Sequence, residues 1–226
     1  MKKLLISGVC AAVFGTTFFA NNSMAETSGN TTNQGIQAAS AQTSKFIDVP
    51  DWNWAYNEIN YMVDHNIMLG YLNGYFGAVE KITREDLAVF LYRTVKIPDY
   101  DMSQPIPFND INDSMFKKEI AAAYKSGIFS SASDGRFNPN RVVTRAELAQ
   151  TFKNAFGLNK KFDHQFNDMQ GHWANEAVEI LYSNGITGGV GNNNFNPDGT
   201  VTREQLAVFL YRTIPMSIKD LRDNAK

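Results

Sequence analysis

From Phe46 to Ile214 the apolar residues fall into paired runs at helical spacing, separated by stretches rich in Gly and Asn. In the last pair, Trp173, Ala177, Ile180 and Leu181 recur on one helical face, which predicts an amphipathic helix. Gly185 followed by apolar Ile186 predicts its end as a left-handed cap with a hydrophobic contact, and Gly127-Ile128 and Asn66-Ile67 hold the same place earlier in the chain. A loop with one central Phe follows each time: Phe76, Phe137 and Phe195. An Asn-Pro turn signal comes after the last two. A second helix then opens at a Thr and runs through Leu87, Phe90 and Leu91 or their equivalents.

The pattern is one unit written three times. LAVFLYRT occurs at Leu87–Thr94 and again at Leu206–Thr213, and Phe46-Ile47-Asp48, Phe108-Asn109-Asp110 and Phe166-Asn167-Asp168 open the copies at intervals of about 60 residues. A helix pair of that size is marginal alone, so the copies are expected to pack together. Periodicity leaves two arrangements open, a closed pseudo-threefold bundle and an open solenoid.

The flanks read differently. Lys2 and Lys3 precede an apolar run from Leu4 to Ala20, and Ser23-Met24-Ala25 supplies small residues for cleavage, the order of an export signal. The expected organisation is therefore a signal peptide (1–25), a flexible leader (26–44), three repeats (45–106, 107–164 and 165–214) and a short tail (215–226) capped by Ser217 with Asp220 three residues on. The single cysteine, Cys10, lies in the signal, so no disulfide is expected in the exported chain. A formal charge of −2 argues against a nucleic-acid binder held by phosphate contacts. No membrane association is expected once the signal is removed.

Charge position is more informative than charge sum. The second helices open with Thr83-Arg84-Glu85-Asp86, Thr144-Arg145-Ala146-Glu147 and Thr202-Arg203-Glu204-Gln205. Thr at the N-cap with an acid or amide three residues on is a capping box, which accounts for both of those positions. It leaves the Arg unexplained, because a cation in the first turn opposes the helix dipole. A local rule broken three times points to function. One reading is an anion site, in which orphan N–H groups of the helix end and the guanidinium fork receive a carboxylate. The other is an ion pair from each Arg to Asp48, Asp110 or Asp168, tying repeats together.

The order Phe-x-Asp, Trp-Ala, Gly-Ile, Phe-Asn-Pro and Thr-Arg-Ala-Glu resembles the S-layer homology domain in three tandem copies, over about Phe46 to Ile214. The resemblance implies a mainly α fold, three helix–loop–helix repeats packed as a pseudo-threefold bundle. It implies a non-catalytic, cofactor-free anchor on the bacterial surface, whose partner is the secondary cell-wall polysaccharide linked to peptidoglycan, often pyruvylated. Other surface-layer proteins form a second class of partner. The implied glycan contacts are Arg84, Arg145 and Arg203, with Thr83, Thr144, Thr202, Asp48, Asp110, Asp168, Gly70 and Gly188 around them. Only Arg145 stands in an intact Thr-Arg-Ala-Glu. Glu85 and Glu204 place a negative charge beside the other two arginines, and copy two has Met115-Phe116 in place of Trp-Ala. The three grooves are thus expected to differ. A structural protein that assembles through inter-repeat ion pairs is the alternative.

Trp54 and Trp173 fall on the apolar face of the first helices and are expected in the core, leaving Trp52, Tyr71 and Tyr75 as candidates for sugar stacking. Asn194, Asn196 and Asp198 before Gly199 resemble the start of a calcium loop, with Gln205 where a bidentate Glu is needed. His65, His164 and His172 lack metal-ligand spacing, and no nucleophile elbow or phosphate loop occurs. Glu147 has no second acid singled out beside it for glycoside hydrolysis.

Overall fold

The computed structural model describes residues 44–106, 108–130 and 134–214. The expected signal, nearly all of the leader and the tail lie outside them. Six helices follow in order: α1 Tyr56–Asp64, α2 Arg84–Val95, α3 Lys117–Lys125, α4 Arg145–Phe156, α5 Asn175–Ser183 and α6 Arg203–Thr213. A 3-10 turn spans Asn167–Met169. Among the described residues there is no strand, only isolated bridges between single residues. No described helix is long and apolar enough to cross a membrane.

Each first helix ends as the sequence predicts. Asn66, Gly127 and Gly185 have φ of 56°, 74° and 73°. The following N–H of Ile67, Ile128 and Ile186 donates back to Met62, Ala123 and Leu181 at 2.9, 3.1 and 2.9 Å. The left-handed residue turns the chain so that this apolar side chain enters the core, where all three isoleucines are buried.

Three connecting arms meet at the centre. Ile82 N–H donates to Val201 O at 3.0 Å, Val201 N–H to Val143 O at 3.2 Å, and Val143 N–H to Ile82 O at 3.0 Å, so the bonds run in a closed cycle with all three side chains buried. Around this axis α2 packs on α3, α4 on α5, and α6 on α1. The second helix of each copy therefore covers the first helix of the next, and the last covers the first. A solenoid would leave two ends uncovered; the cycle decides for the closed bundle.

The phase of the first helices differs from the sequence expectation at tryptophan. Trp54 and Trp173 are 59% and 62% exposed, while the adjacent Ala55 and Ala174 are fully buried. The helices begin only at Tyr56 and Asn175, so both indoles precede the apolar face and leave the small residue to pack. Trp52 is exposed as well, whereas Tyr71 is half-buried with its hydroxyl donating to Glu80 at 2.6 Å.

The glycine register also changes. Tyr71 N–H donates to Tyr75 O as Val190 N–H does to Asn194 O, which pairs Gly70 with Gly189 and sets Gly188 opposite Leu69. A Cβ on Gly70 would lie 2.1 Å from Phe46, and one on Gly189 2.5 Å from Phe166, so this glycine makes room for the ring that opens the repeat. A Cβ on Gly188 would meet nothing within 4 Å.

Candidate functional site

The arm-to-helix junctions carry the Thr-Arg motifs. All three capping boxes form: Thr83, Thr144 and Thr202 accept from the N–H three residues on, and Asp86, Glu147 and Gln205 accept from the Thr N–H. The two preceding amides are used as well. Arg145 N–H donates to Gly199 O at 2.8 Å and Ala146 N–H to Pro197 O at 2.9 Å. Arg84 and Glu85 bond to Arg141 O and Pro139 O, and Arg203 and Glu204 to Glu80 O and Ala78 O. The capping box within each copy and the carbonyls of the neighbouring copy together meet the orphan donors, so the helix ends offer no amide to an anion. Any anion must be held by side chains.

The three aspartates do not pair with the arginines. Asp48 accepts from the N–H of Phe76, Gly77 and Ala78 at 2.7, 2.8 and 2.8 Å. Asp110 accepts from Phe137 and Asn138, and Asp168 from Phe195 and Asn196. The carbonyl of the same Phe accepts from the arginine of the preceding copy: Arg84 Nε to Phe137 O at 2.8 Å, Arg145 Nε to Phe195 O at 2.7 Å, and Arg203 Nε to Phe76 O at 3.0 Å. One peptide group thus stands between carboxylate and guanidinium, each polarising it in the same sense. Each guanidinium also lies over the ring of that Phe, at 4.7, 4.5 and 4.8 Å from its centroid. The arginines do join repeats, through a carbonyl and a ring rather than through an ion pair.

Their second nitrogens separate the three sites. Arg203 Nη2 donates to Leu69 O at 2.7 Å, and Arg84 Nη2 reaches Ser130 O at 3.5 Å. Arg145 is 5% exposed, and its buried Nη2 has no partner. Opposite it, in the position of Leu69 and Ser130, stands Gly188. Leaving a buried donor unpaired costs roughly 1–3 kcal/mol, and more where the group is charged. Burial pushes the Arg145 guanidinium down to about 10, with Asp168 opposing the fall. It remains a cation at neutral pH.

Arg145 faces a cavity of about 470 Å³ lined by Trp54 from copy one and by Thr187, Gly188, Gln205 and Arg212 from copy three. All three copies contribute. Among the described residues no carboxylate lines it, and Arg212 Nη1 donates to Ile186 O at 3.2 Å, placing a second guanidinium at the wall. At the place of Arg212, copy two has Asn154, which donates to Ile128 O. The acids expected to weaken the other arginines are engaged across copy boundaries: Glu85 accepts from Ser114, and Glu204 from Asn53 at 3.3 Å.

Sequence reasoning missed Trp54 and Arg212 as groove residues. A Trp ahead of a helix start, and an Arg in the last turn on the face toward the next copy, were the available signals. Two residues of the candidate calcium loop make other contacts. Gln205 Oε1 accepts from Thr202 N–H at 3.1 Å within its capping box, and the Asn196 carboxamide occupies the space against Gly199. Among the described residues, no three His, Cys, Asp or Glu side chains are placed to hold a metal.

A closed ring of three helix pairs with grooves at the copy boundaries defines a repeat-built α module. The S-layer homology domain profile matches residues 45–88, 107–149 and 165–207, and the chain belongs to that family. It is 31% identical over 195 residues to an S-layer protein of Bacillus licheniformis, covering 84% of this chain and 22% of that one. An uncharacterised cell wall amidase of Bacillus anthracis is 30% identical over 177 residues, 76% of this chain and 32% of the amidase. A cellulosome-anchoring protein of Acetivibrio thermocellus is 28% identical over 154 residues, 64% of this chain and 34% of that protein. The chain spans between about a fifth and a third of these relatives.

Proposed function

We propose that the chain is a non-catalytic module that holds itself at the bacterial surface by binding an anionic cell-wall polysaccharide, with Arg145 as the principal contact. The observation that carries this reading is that, among the described residues, Arg145 Nη2 has no partner and its groove has no carboxylate. A sugar carboxylate, such as that of a pyruvate ketal, accepts from Arg145 Nη2 and is drawn by Arg212, while Trp54 offers a ring to the sugar's C–H face. Thr144 acts by fixing the helix start, and Asp168 by holding the peptide that orients Arg145. The surface roles in the names of the S-layer and cellulosome-anchoring relatives support the location. The amidase shares only about a third of its length with this chain, which is consistent with a module that travels beside different activities.

Arg84 and Arg203 fit the alternative role better. Arg203 is 2% exposed, and its Nε and Nη2 are given to carbonyls of copy one, which favours a structural part. Co-sedimentation with purified wall sacculi, before and after the polysaccharide is stripped, tests the proposal. Binding is expected to disappear on stripping and in Arg145→Gln. Binding that survives stripping, or that is unchanged in Arg145→Gln, overturns it.

A further inference from the structure

A half-buried histidine braces the Arg145 groove from behind. Phe166 N–H donates to His164 Nδ1 at 3.0 Å. A backbone N–H can only donate, so this nitrogen presents a lone pair. The ring proton then sits on Nε2, 2.9 Å from Asn175 Oδ1, and Asn175 in turn donates to Glu179 at 3.1 Å. In this arrangement the imidazole is neutral, and its two nitrogens tie the opening of copy three to the first turn of α5.

What it holds is the groove wall. Gly188, Gly189 and Val190 line the cavity before Arg145, and the Phe166 ring lies where a Cβ on Gly189 would come within 2.5 Å of it. The same ring is 5.8 Å from that of Phe195, whose carbonyl accepts from Arg145. Asn167 N–H, one residue on, donates to Asn193 O at 2.8 Å, and Val190 N–H to Asn194 O at 2.8 Å. A displacement of Phe166 thus reaches both the wall and the carbonyl that orients the guanidinium.

The other copies manage without a titrating group here. Copy one has Ser44, whose Oγ accepts from Phe46 N–H at 3.4 Å, and copy two has Ile106. The fold therefore asks for an acceptor at most, and not for an imidazole. His172 also accepts through Nδ1, from Ala174 N–H at 3.1 Å, but Asn53 and Ser114 make the same bond in copies one and two. That bond starts α5 and does not brace the wall.

The charges around His164 are mainly acidic. Asp163 on its own segment and Asp168 on the 3-10 turn lie within electrostatic reach of it. On α5, Glu179 pairs with Lys160 at 2.7 Å, Lys160 also pairs with Asp163 at 2.5 Å, and Glu176 is taken by Lys153 of α4 at 2.6 Å. A proton on Nδ1 replaces the lone pair with a second N–H, so the bond to Phe166 cannot form. The imidazolium is drawn to the carboxylates instead, among them Asp168, which holds the Phe195 and Asn196 amides. We propose that His164 is a proton-operated latch on the Arg145 groove: its protonation frees Phe166 and loosens the Gly188–Val190 wall, between about pH 5 and 8. Acid release of the glycan rests on the Arg145 reading; the loosening of the wall does not. Arg145, at about 10, stays a cation over this interval, and a sugar carboxylate stays ionised, so neither side of the anion contact titrates there.

Amide exchange of the chain alone, followed by NMR at about pH 7.5 and about pH 5.5 and expressed as protection over the unfolded rate, tests the latch. Protection at Phe166, Asn167 and Val190 is expected to fall about tenfold or more on acidification, while their copy-one counterparts Phe46, Ile47 and Tyr71 hold theirs. His164→Ser, which installs the residue of copy one, and His164→Asn both keep an acceptor that does not titrate. Either is expected to remove the response, and His172→Asn to retain it. Sacculus binding is expected to weaken over the same interval in the parent and not in the His164 variants. The latch is overturned if the three amides do not respond, if they respond equally in both His164 variants, or if His172→Asn abolishes the response. It is also overturned as a control on the groove if the amides open while sacculus binding stays intact. Failure to bind sacculi at about pH 7.5 as well overturns the Arg145 reading, and amide exchange still decides the latch.

Discussion

Arg145 and Arg203 occupy the same position of the repeat, yet their truncations are expected to have opposite signatures. Arg203→Gln removes bonds to Phe76 O and Leu69 O and leaves those carbonyls buried, which predicts a loss of roughly 3 kcal/mol in urea unfolding. Arg145→Gln also removes an unpaired buried donor, so it is expected to cost clearly less stability while abolishing sacculus binding. The aspartates give a pH signature. Burial pushes the Asp110 and Asp168 carboxyls up, but the backbone N–H donors of Phe137, Asn138, Phe195 and Asn196 outweigh it, so both lie below the usual carboxylate range. Their folded values are depressed, so the stability they contribute is complete above the unfolded value of about 3.9 and is lost as pH falls through the folded values. Urea midpoints are expected to fall steeply below about pH 4, and less steeply in an Asp110→Asn, Asp168→Asn double variant.

At the scale of elements, the capping boxes do two jobs. They start the second helices, and they fix where the adjoining amides meet the carbonyls of the next copy. Thr144→Ala is expected to cost about 1 kcal/mol from the cap alone, measured by thermal or urea unfolding, and to weaken glycan binding because Arg145 is the next residue. These boxes were legible in the sequence, since Thr and the residue three positions on are local neighbours. So were the left-handed ends at Asn66, Gly127 and Gly185, where a backbone conformation restricts residue type. Other features were not legible because they depend on contacts made far along the chain. The repeat shows that an Arg recurs, but not that its Nε meets a carbonyl 53, 50 or 127 residues away. The orphan amides looked available because their partners lie in another copy. Helical periodicity places Trp54 in the core because it reports phase and not where a helix begins.

For the whole molecule, the cycle through Ile82, Val143 and Val201 makes each copy depend on both others. Unfolding is expected to be one cooperative transition with coincident fluorescence and circular dichroism curves, unlike the spread of transitions open to a linear array. A fragment of residues 44–164 loses the Val201 partner of Ile82 and the α6 cover of α1. It is expected to lack dispersed NMR signals, even though it contains two whole repeats and Arg145.

The same cycle constrains how such a chain can change. A stack of repeats grows by duplication, since a new copy finds at its end the surface it would find anywhere. Here the last arm already donates to the second and accepts from the first, and there is no vacant position for a fourth. A duplicated unit must either force a ring of different curvature or hang outside as an unpaired appendage. The number of copies is therefore fixed by geometry, and variation is confined to what each position carries. That is the pattern at Gly188, Leu69 and Ser130, where one slot holds three different residues. Diversification within a closed set, rather than addition to an open one, is the route by which the copies of such a ring come to differ.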